Sequence, residues 1–237
     1  MTSIELADPG AGRPRLHAVA ADEVADPADL ADRADLADSL VLPEAAEPGG
    51  RVDRARATAA VADLLTALGR DIRSPHLAET PRRVADSFIE LLTPRPFEAT
   101  TFPNDEGYDE LVVVAGIPFD SLCEHHMLPF SGTAHVGYVP GARLLGLSKF
   151  ARVVERFARD LQVQERLTRR VAGWIEAELA PAGVGVVLEA EHLCMSVRGV
   201  QVRGSRTVTS SFTGVVRDDE RTRREFLARC GLRGMME

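Results

Sequence analysis

The stretch SKFARVVERFARDLQVQERLTRRVAGWIEAELAP (148–181) carries two apolar stripes at helical spacing. Phe150, Val153, Val154, Phe157 and Leu161 form the first, with Ser148 as its candidate cap. Leu167, Val171, Trp174, Ile175 and Leu179 form the second, which Pro181 and Gly183 terminate. β-like runs flank this helix pair on both sides. Glu110 to Ala115 and Thr133 to Val139 precede it, the latter alternating Ala134, Val136, Tyr138 against Thr133, His135, Gly137. Val184 to Ala190, and then a Thr-, Ser- and Val-rich run from about Gln201 to Val216, follow it. Two strands, two helices and two strands, with no βαβα alternation, predict an α+β fold with an antiparallel sheet.

Further out, a short charged helix over Asp219 to Arg229 closes the chain. On the N-terminal side, Val61, Leu64, Leu65 and Leu68 mark one face of a helix that Gly69 can stop. A second helix is punctuated by Thr80 as cap and Pro81 at the first helical position. Val84, Phe88, Leu91 and Leu92 are its expected buried stripe, and Pro94 and Pro96 lie beyond its end. Residues 1–50 differ in texture: they hold 11 acidic and 3 basic side chains, no aromatic residue, and much Ala, Asp and Pro. Such a segment buries too little apolar surface to offset its ordering entropy, so it is expected to be a disordered acidic tail. The other 187 residues hold 25 acidic and 25 basic side chains, so the whole net charge of −8 belongs to the tail. A neutral body with an acidic tail argues against a nucleic-acid partner. No run approaches the ~18 apolar residues of a membrane span, and no basic-then-apolar leader opens the chain, so no membrane partner is expected. Three cysteines are too few for a disulfide scaffold, and a reducing cytoplasm is the expected compartment.

The chemistry concentrates in Ser121-Leu-Cys-Glu-His-His-Met-Leu-Pro-Phe130 and Glu191-His-Leu-Cys-Met-Ser-Val-Arg198. Cys123 and His126 have a Cys-x-x-His spacing that lets a thiolate and an imidazole reach one metal ion, although buried cysteines packing as small hydrophobes would read the same. Cys194 offers a second thiolate. On a strand, His192 and Cys194 would face the same way. A structural zinc is usually closed by four protein ligands, whereas three plus water is the catalytic pattern. With Cys123, His126 and Cys194 as donors, His125 and His192 are left as proton carriers beside such a water. His135 alternates within a strand and reads as a packed histidine, and Cys230 as a thiol that binds no metal.

Cys-Glu-His-His at 123–126, Gly-Leu-Ser-Lys at 146–149, Gln-Val-Gln-Glu-Arg-Leu-Thr at 162–168 and His-Leu-Cys-Met at 192–195 resemble GTP cyclohydrolase I. Arg-Gly-Val at 198–200 and Thr-Val-Thr-Ser at 207–210 continue the likeness, in the family's order, from about Arg51 to the last helix. The resemblance implies the tunnelling fold (T-fold): a two-layer unit with an antiparallel sheet and an inserted helix pair, preceded by helices. It implies residues 51–237 as the catalytic domain, with a helical part at 51–105 and the T-fold core at 106–237. Members open the imidazole ring of GTP, release C8 as formate and recyclise the product to 7,8-dihydroneopterin triphosphate, the first step toward tetrahydrofolate and other pterins.

By the same resemblance, Cys123, His126 and Cys194 hold Zn2+, whose part is to generate the nucleophile that attacks C8. His125 and His192 match the catalytic histidines. Glu165 matches the guanine anchor, since a carboxylate can accept both N1–H and the exocyclic amine of guanine. The alternative for Glu165 is a solvent-facing partner of Arg169 at i+4. Ser148, Lys149, Arg152 and Arg198 match triphosphate-binding positions, and Arg83 matches one supplied by another subunit. Lys149 is the only lysine in the chain, which fits a compact ammonium wanted at that place. Asp86 departs from relatives that carry a lysine in the matching turn. Members assemble into homo-oligomeric rings, typically decamers, with active sites at subunit boundaries. Two other readings remain open: the same chemistry feeding a secondary 7-deazapurine pathway, and a zinc-stabilised binding module that does not catalyse.

Overall fold

The computed structural model describes residues 52–232. The expected tail, residues 1–50, lies outside them. Two helices come first, α1 (Arg54–Ala67) and α2 (Thr80–Leu91), then strands β1 (Thr101–Pro103), β2 (Val112–Cys123), β3 (Pro129–Val139) and β4 (Arg143–Leu145). The helix pair follows as α3 (Leu147–Ala158) and α4 (Gln164–Leu179), separated by the two-residue strand β5 (Leu161–Gln162). Strand β6 (Gly183–His192), a four-residue turn α5 (Leu193–Ser196), β7 (Thr207–Thr213), the short α6 (Gly214–Asp218) and α7 (Glu220–Arg229) complete the order. The main sheet runs β5-β2-β3-β6-β7, antiparallel throughout except for β5 alongside β2. This is the α+β arrangement that the order of stripes predicts. Among the described residues no helix is long and apolar enough to cross a membrane.

The helix pair covers one face of the sheet. Phe150, Val153, Val154 and Phe157 of α3 and Leu167, Val171, Ile175 and Leu179 of α4 are buried against Ala134, Val136 and Tyr138 of β3 and Val184, Val186, Leu188 and Ala190 of β6. The opposite face carries a smaller cluster in which Val187 meets Val216, Phe226, Leu227 and Cys230. A strand covered on both sides reads as a nearly continuous apolar run, which explains the texture of Val184 to Ala190. Phe226 lies flat over two glycines: a Cβ at Gly137 or Gly185 would come within 3.0–3.1 Å of its ring. Because this fully buried ring anchors α7, Phe226→Ala is expected to cost about 3–5 kcal/mol, read as a lower midpoint in urea unfolding. An unchanged midpoint would show that α7 adds nothing to the core.

Several local expectations differ from the structure. Leu64 and Leu68 are more than half exposed and no residue of α1 is fully buried, while Val61 and Leu65 are half-buried, so its apolar face is only partly covered within the described chain. On α2 the buried residues are Pro81 and Ala85, while Val84, Phe88, Leu91 and Leu92 are only half-buried. Ser148 is not a cap: α3 begins one residue earlier from Gly146, with no side-chain capping bond, and Ser148 lies exposed in the first turn. Leu161 belongs to β5, not to the helix before it. The last strand starts at Thr207, and Gln201, with φ of 54°, lies in the preceding loop.

Candidate active site

The donors gather at one end of the sheet. Strand β2 ends at Cys123, and the hairpin to β3 closes through Cys123 N–H donating to Leu128 O at 2.9 Å and Met127 N–H to Cys123 O at 2.8 Å. His126 therefore folds back beside Cys123, its Nδ1 3.8 Å from Sγ. The third donor arrives from β6. That strand stops at His192, and Cys194 stands on the helical turn α5. The expectation that His192 and Cys194 share one strand face is thus corrected: a change of backbone at residue 193, not strand alternation, brings Cys194 round. Ser196 secures the turn, donating to Glu191 Oε1 at 2.6 Å and to His192 O at 3.2 Å.

Sγ of Cys123, a ring nitrogen of His126 and Sγ of Cys194 lie within 4.8 Å of one another. A tetrahedral ion with Zn–S of ~2.3 Å and Zn–N of ~2.0 Å separates such donors by roughly 3.6–3.8 Å, so the cluster has the dimensions of a metal site. Its electrostatics agree. Burial and the neighbouring Cys123 push the Cys194 thiol up, with Arg198 opposing, so two adjacent thiolates need a cation to coexist. Two soft thiolates and an imidazole suit zinc and comparable borderline-soft ions.

His125 is exposed, with its Nδ1 also 3.8 Å from Cys123 Sγ, but it is not one of the three mutually close donors. His192 is more firmly held. Its ring stacks on Phe130 at 4.5 Å between centroids and 2° between planes, and its Nε2 lies 2.8 Å from Gln164 Oε1. Burial pulls its pKa below the ordinary imidazole range, while the Glu165 carboxylate partly opposes the shift. Gln164, fully buried at the start of α4, settles the tautomer. Its Nε2 donates to Leu188 O at 3.1 Å, Thr207 O at 3.0 Å and Thr209 Oγ1 at 3.1 Å. The amide nitrogen is fixed by two carbonyls, so Oε1 must accept, and neutral His192 carries its proton on Nε2 with Nδ1 as the free base.

Glu165 stands exposed in the first turn of α4 and makes no ion pair with Arg169 or any other base among the described residues. Arg198 follows α5 in an exposed loop, near enough for its charge to act on Cys194. Arg83 lines a cleft of about 300 Å³ with Leu122, Met127, Leu128 and Pro129, beside the donor loop of its own chain. Asp86 is occupied structurally. Arg54 Nε and Nη2 reach its two oxygens at 2.5 and 2.7 Å, Arg82 adds a contact at 3.0 Å, and Arg54 above all holds this carboxyl below its usual range.

Ser148 and Lys149 lie elsewhere. The adjacent Phe150 packs on Tyr138, which pairs with Val112 and Val184, whereas the donor end is marked by Phe130 pairing with Ser121 and His192. Tyr138 lies eight positions beyond Phe130 along strand β3, roughly 26 Å at the usual rise. Lys149 Nζ stands over the Phe97 ring at 5.9 Å, and Arg152, one turn on, pairs with Glu155 at 3.1 Å. One chain therefore brings together Cys123, His125, His126, Glu165, His192, Cys194, Arg198 and Arg83, but not Ser148 and Lys149. Sequence reasoning missed Gln164 and Arg166 as supporting residues. Both flank Glu165 in the Gln-Val-Gln-Glu-Arg-Leu-Thr run, and the signal was a buried glutamine opening an otherwise apolar helix face. His135 is buried as expected, with Nδ1 lacking a hydrogen-bond partner, and Cys230 is packed in the smaller core cluster, its thiol pushed up to about 12 by burial.

Fold and donor set together define an α+β protein with a Cys2His cluster at the end of its sheet, and with the imidazoles of His125 and His192 on the loop and strand end that lead to the donors. Residues 57–231 match the family described as GTP cyclohydrolase I, and the chain belongs to that family. It is 49% identical over 176 residues to the GTP cyclohydrolase 1 of Aquifex aeolicus, covering 74% of this chain and 96% of that protein. It is 50% identical over 179 residues to the GTP cyclohydrolase 1 of Gloeobacter violaceus, covering 71% and 80%. Among solved structures, the apo form of an archaeosine synthase QueF-Like aligns with a TM-score of 0.37 and 18% identity, over 44% of this chain and 93% of its own.

Proposed function

We propose that this chain hydrolyses GTP to formate and 7,8-dihydroneopterin triphosphate, with zinc held by Cys123, His126 and Cys194. The observation that carries the reading is the donor cluster with an oriented, neutral imidazole beside it, in a chain of this family. When bound by Cys123, His126 and Cys194, the ion would supply the nucleophile-generating chemistry for attack at C8. Glu165 accepts N1–H and the 2-amino group of guanine, a donor pair that adenine lacks, and so sets base selectivity. His192 takes and returns protons through Nδ1, and His125, open to solvent, is the second carrier as the imidazole ring and then the ribose open. Arg198 and Arg83 meet the triphosphate from the donor side.

Ser148, Lys149 and Arg152 serve a neighbouring copy's site. The separation of Ser148 and Lys149 from their own chain's donors supports a homo-oligomer with active sites at subunit boundaries, a decameric ring in this reading. Residues 51–237 form the catalytic domain, with 51–105 its helical part and 106–237 its core. Deleting residues 1–50 is expected to leave formate release per subunit within a few fold, and a collapse of activity would give the tail a catalytic or assembly role. The decisive assay incubates zinc-loaded protein with GTP and measures formate together with the fluorescent pterin formed on oxidation. Equal amounts of both support the proposal. Formate alone means the reaction stops at the opened ring, and neither product from metal-replete protein overturns the assignment.

A further inference from the structure

Four residues lie in the donor loop between Cys123 and Leu128, and the loop has few ties to the rest of the fold. Inside it are the hairpin bonds and a left-handed Met127 with φ of 53°. Outward, Glu124 N–H donates to Gln162 O at 3.0 Å, and the Glu124 carboxylate meets the guanidinium of Arg166. That guanidinium, itself on α4, ties together two further segments, the donor loop and β5. Nη2 donates to Glu124 Oε2 and, at 2.9 Å, to Leu161 O, while Nε donates to Gln162 Oε1 at 3.1 Å. Gln162 is itself fully buried and anchored, its Nε2 donating to Phe157 O at 2.9 Å. The planar fork of arginine suits three acceptors, one on the donor loop and two on β5, in a way an ammonium does not.

We infer that Arg166 is a positioning residue: through Glu124 it locks the loop bearing Cys123 and His126 to the turn of α4 that presents Glu165. The inference rests on the metal and guanine-anchor readings above. Two donors stand on this loop and the third on α5, so a free loop leaves Cys194 facing partners whose placement varies. The neighbour of Arg166 in sequence is the guanine anchor, so the same lock sets how far the base sits from the metal. Outer contacts of this kind typically govern metal affinity by about 10–100-fold. A misplacement of ~1 Å between bound groups can cost as much in rate.

The test uses full-length protein and Co2+ as a spectroscopic stand-in for zinc, with affinity read from the thiolate-to-cobalt absorption. Arg166→Ala is expected to weaken Co2+ binding about tenfold or more and to shift the ligand-field bands. Arg166→Lys, which can still reach Glu124, recovers part of the affinity. Glu124→Gln weakens binding to a similar extent, and the double variant Arg166→Ala/Glu124→Gln loses no more than either single change. With zinc loaded, KM for GTP rises in Arg166→Ala along with the fall in kcat. The metal-free melting temperature reports the fold, and if Arg166→Ala does not fold, Glu124→Gln carries the test alone. Wild-type affinity and unshifted bands in Arg166→Ala, or in Glu124→Gln should it stand alone, overturn the inference, as do fully additive losses in the double variant. A wild-type chain that binds Co2+ without thiolate bands overturns the metal reading, and this inference with it.

Discussion

Cys194→Ala is expected to leave the purified protein without stoichiometric zinc and to lower formate release by about a thousandfold or more. A bound metal contributes several kcal/mol of transition-state stabilisation in hydrolyses of this kind, and about 4 kcal/mol corresponds to three orders of magnitude. Removing one thiolate from a three-donor set leaves Cys123 and His126, a pair too weak to hold the ion. The fold should survive, because Cys194 is only partly buried on a turn fixed independently by Ser196 and Glu191. Metal content by elemental analysis, beside the melting temperature of the metal-free protein, separates loss of the ion from loss of the fold. The pH dependence has a definite sign. In the absence of metal, burial and Cys123 raise the Cys194 thiol, so binding must release protons, and affinity falls as pH is lowered. A zinc-replete, active Cys194→Ala protein would refute the ligand assignment.

The α+β order was legible because both kinds of period were present in clean form. Phe150, Val153, Val154 and Phe157 repeat at helical spacing, and Ala134, Val136 and Tyr138 at strand spacing, and all seven are buried in the same cluster. Helix α7 was read nearly to the residue, since Asp219 is a capping side chain that accepts from Arg221 and Thr222 N–H. The errors fall where local pattern competes with something local pattern does not contain. Leu64 and Leu68 have the spacing of a buried face, yet burial depends on a neighbour, and within the described chain α1 packs only partly, half-burying Val61 and Leu65 and leaving Leu64 and Leu68 exposed. Strand β2 was expected to end at Ala115. Its register shifts between Val114 and Ile117, and this irregularity breaks the alternation on which the reading depends, although the strand runs on to Cys123.

For the site, donor chemistry was legible and placement was not. Cys123, His126 and Cys194 are 71 positions apart end to end, and only the pairing of β3 with both β2 and β6 brings them to one end of the sheet. The same pairing places Ser148 and Lys149 at the other end, a separation invisible in a string where they sit between the two halves of the donor set. Gln164 escaped notice because its importance is a matter of acceptors: only the carbonyls of Leu188 and Thr207 reveal which way its amide faces.

That amide makes His192 the sharper test of mechanism. His192→Ala is expected to lower kcat by roughly 10²–10⁴-fold while zinc content stays at the wild-type level. His192 is not among the mutually close donors, and its Nε2 is committed to Gln164, so the ring is not expected to hold the ion. Cys194→Ala loses metal and rate together; His192→Ala should lose rate alone, and that contrast distinguishes a proton carrier from a ligand. The pH profile adds a signed expectation. Burial lowers the His192 pKa, with Glu165 partly opposing, and a cation at the neighbouring cluster pushes it further the same way. The neutral, proton-accepting form therefore persists to lower pH than for an ordinary imidazole. The acid limb of kcat that depends on His192 should lie below the usual imidazole range and vanish in His192→Ala. A variant that keeps wild-type kcat, or one that loses zinc in step with its rate, would assign His192 to substrate packing or to the metal instead.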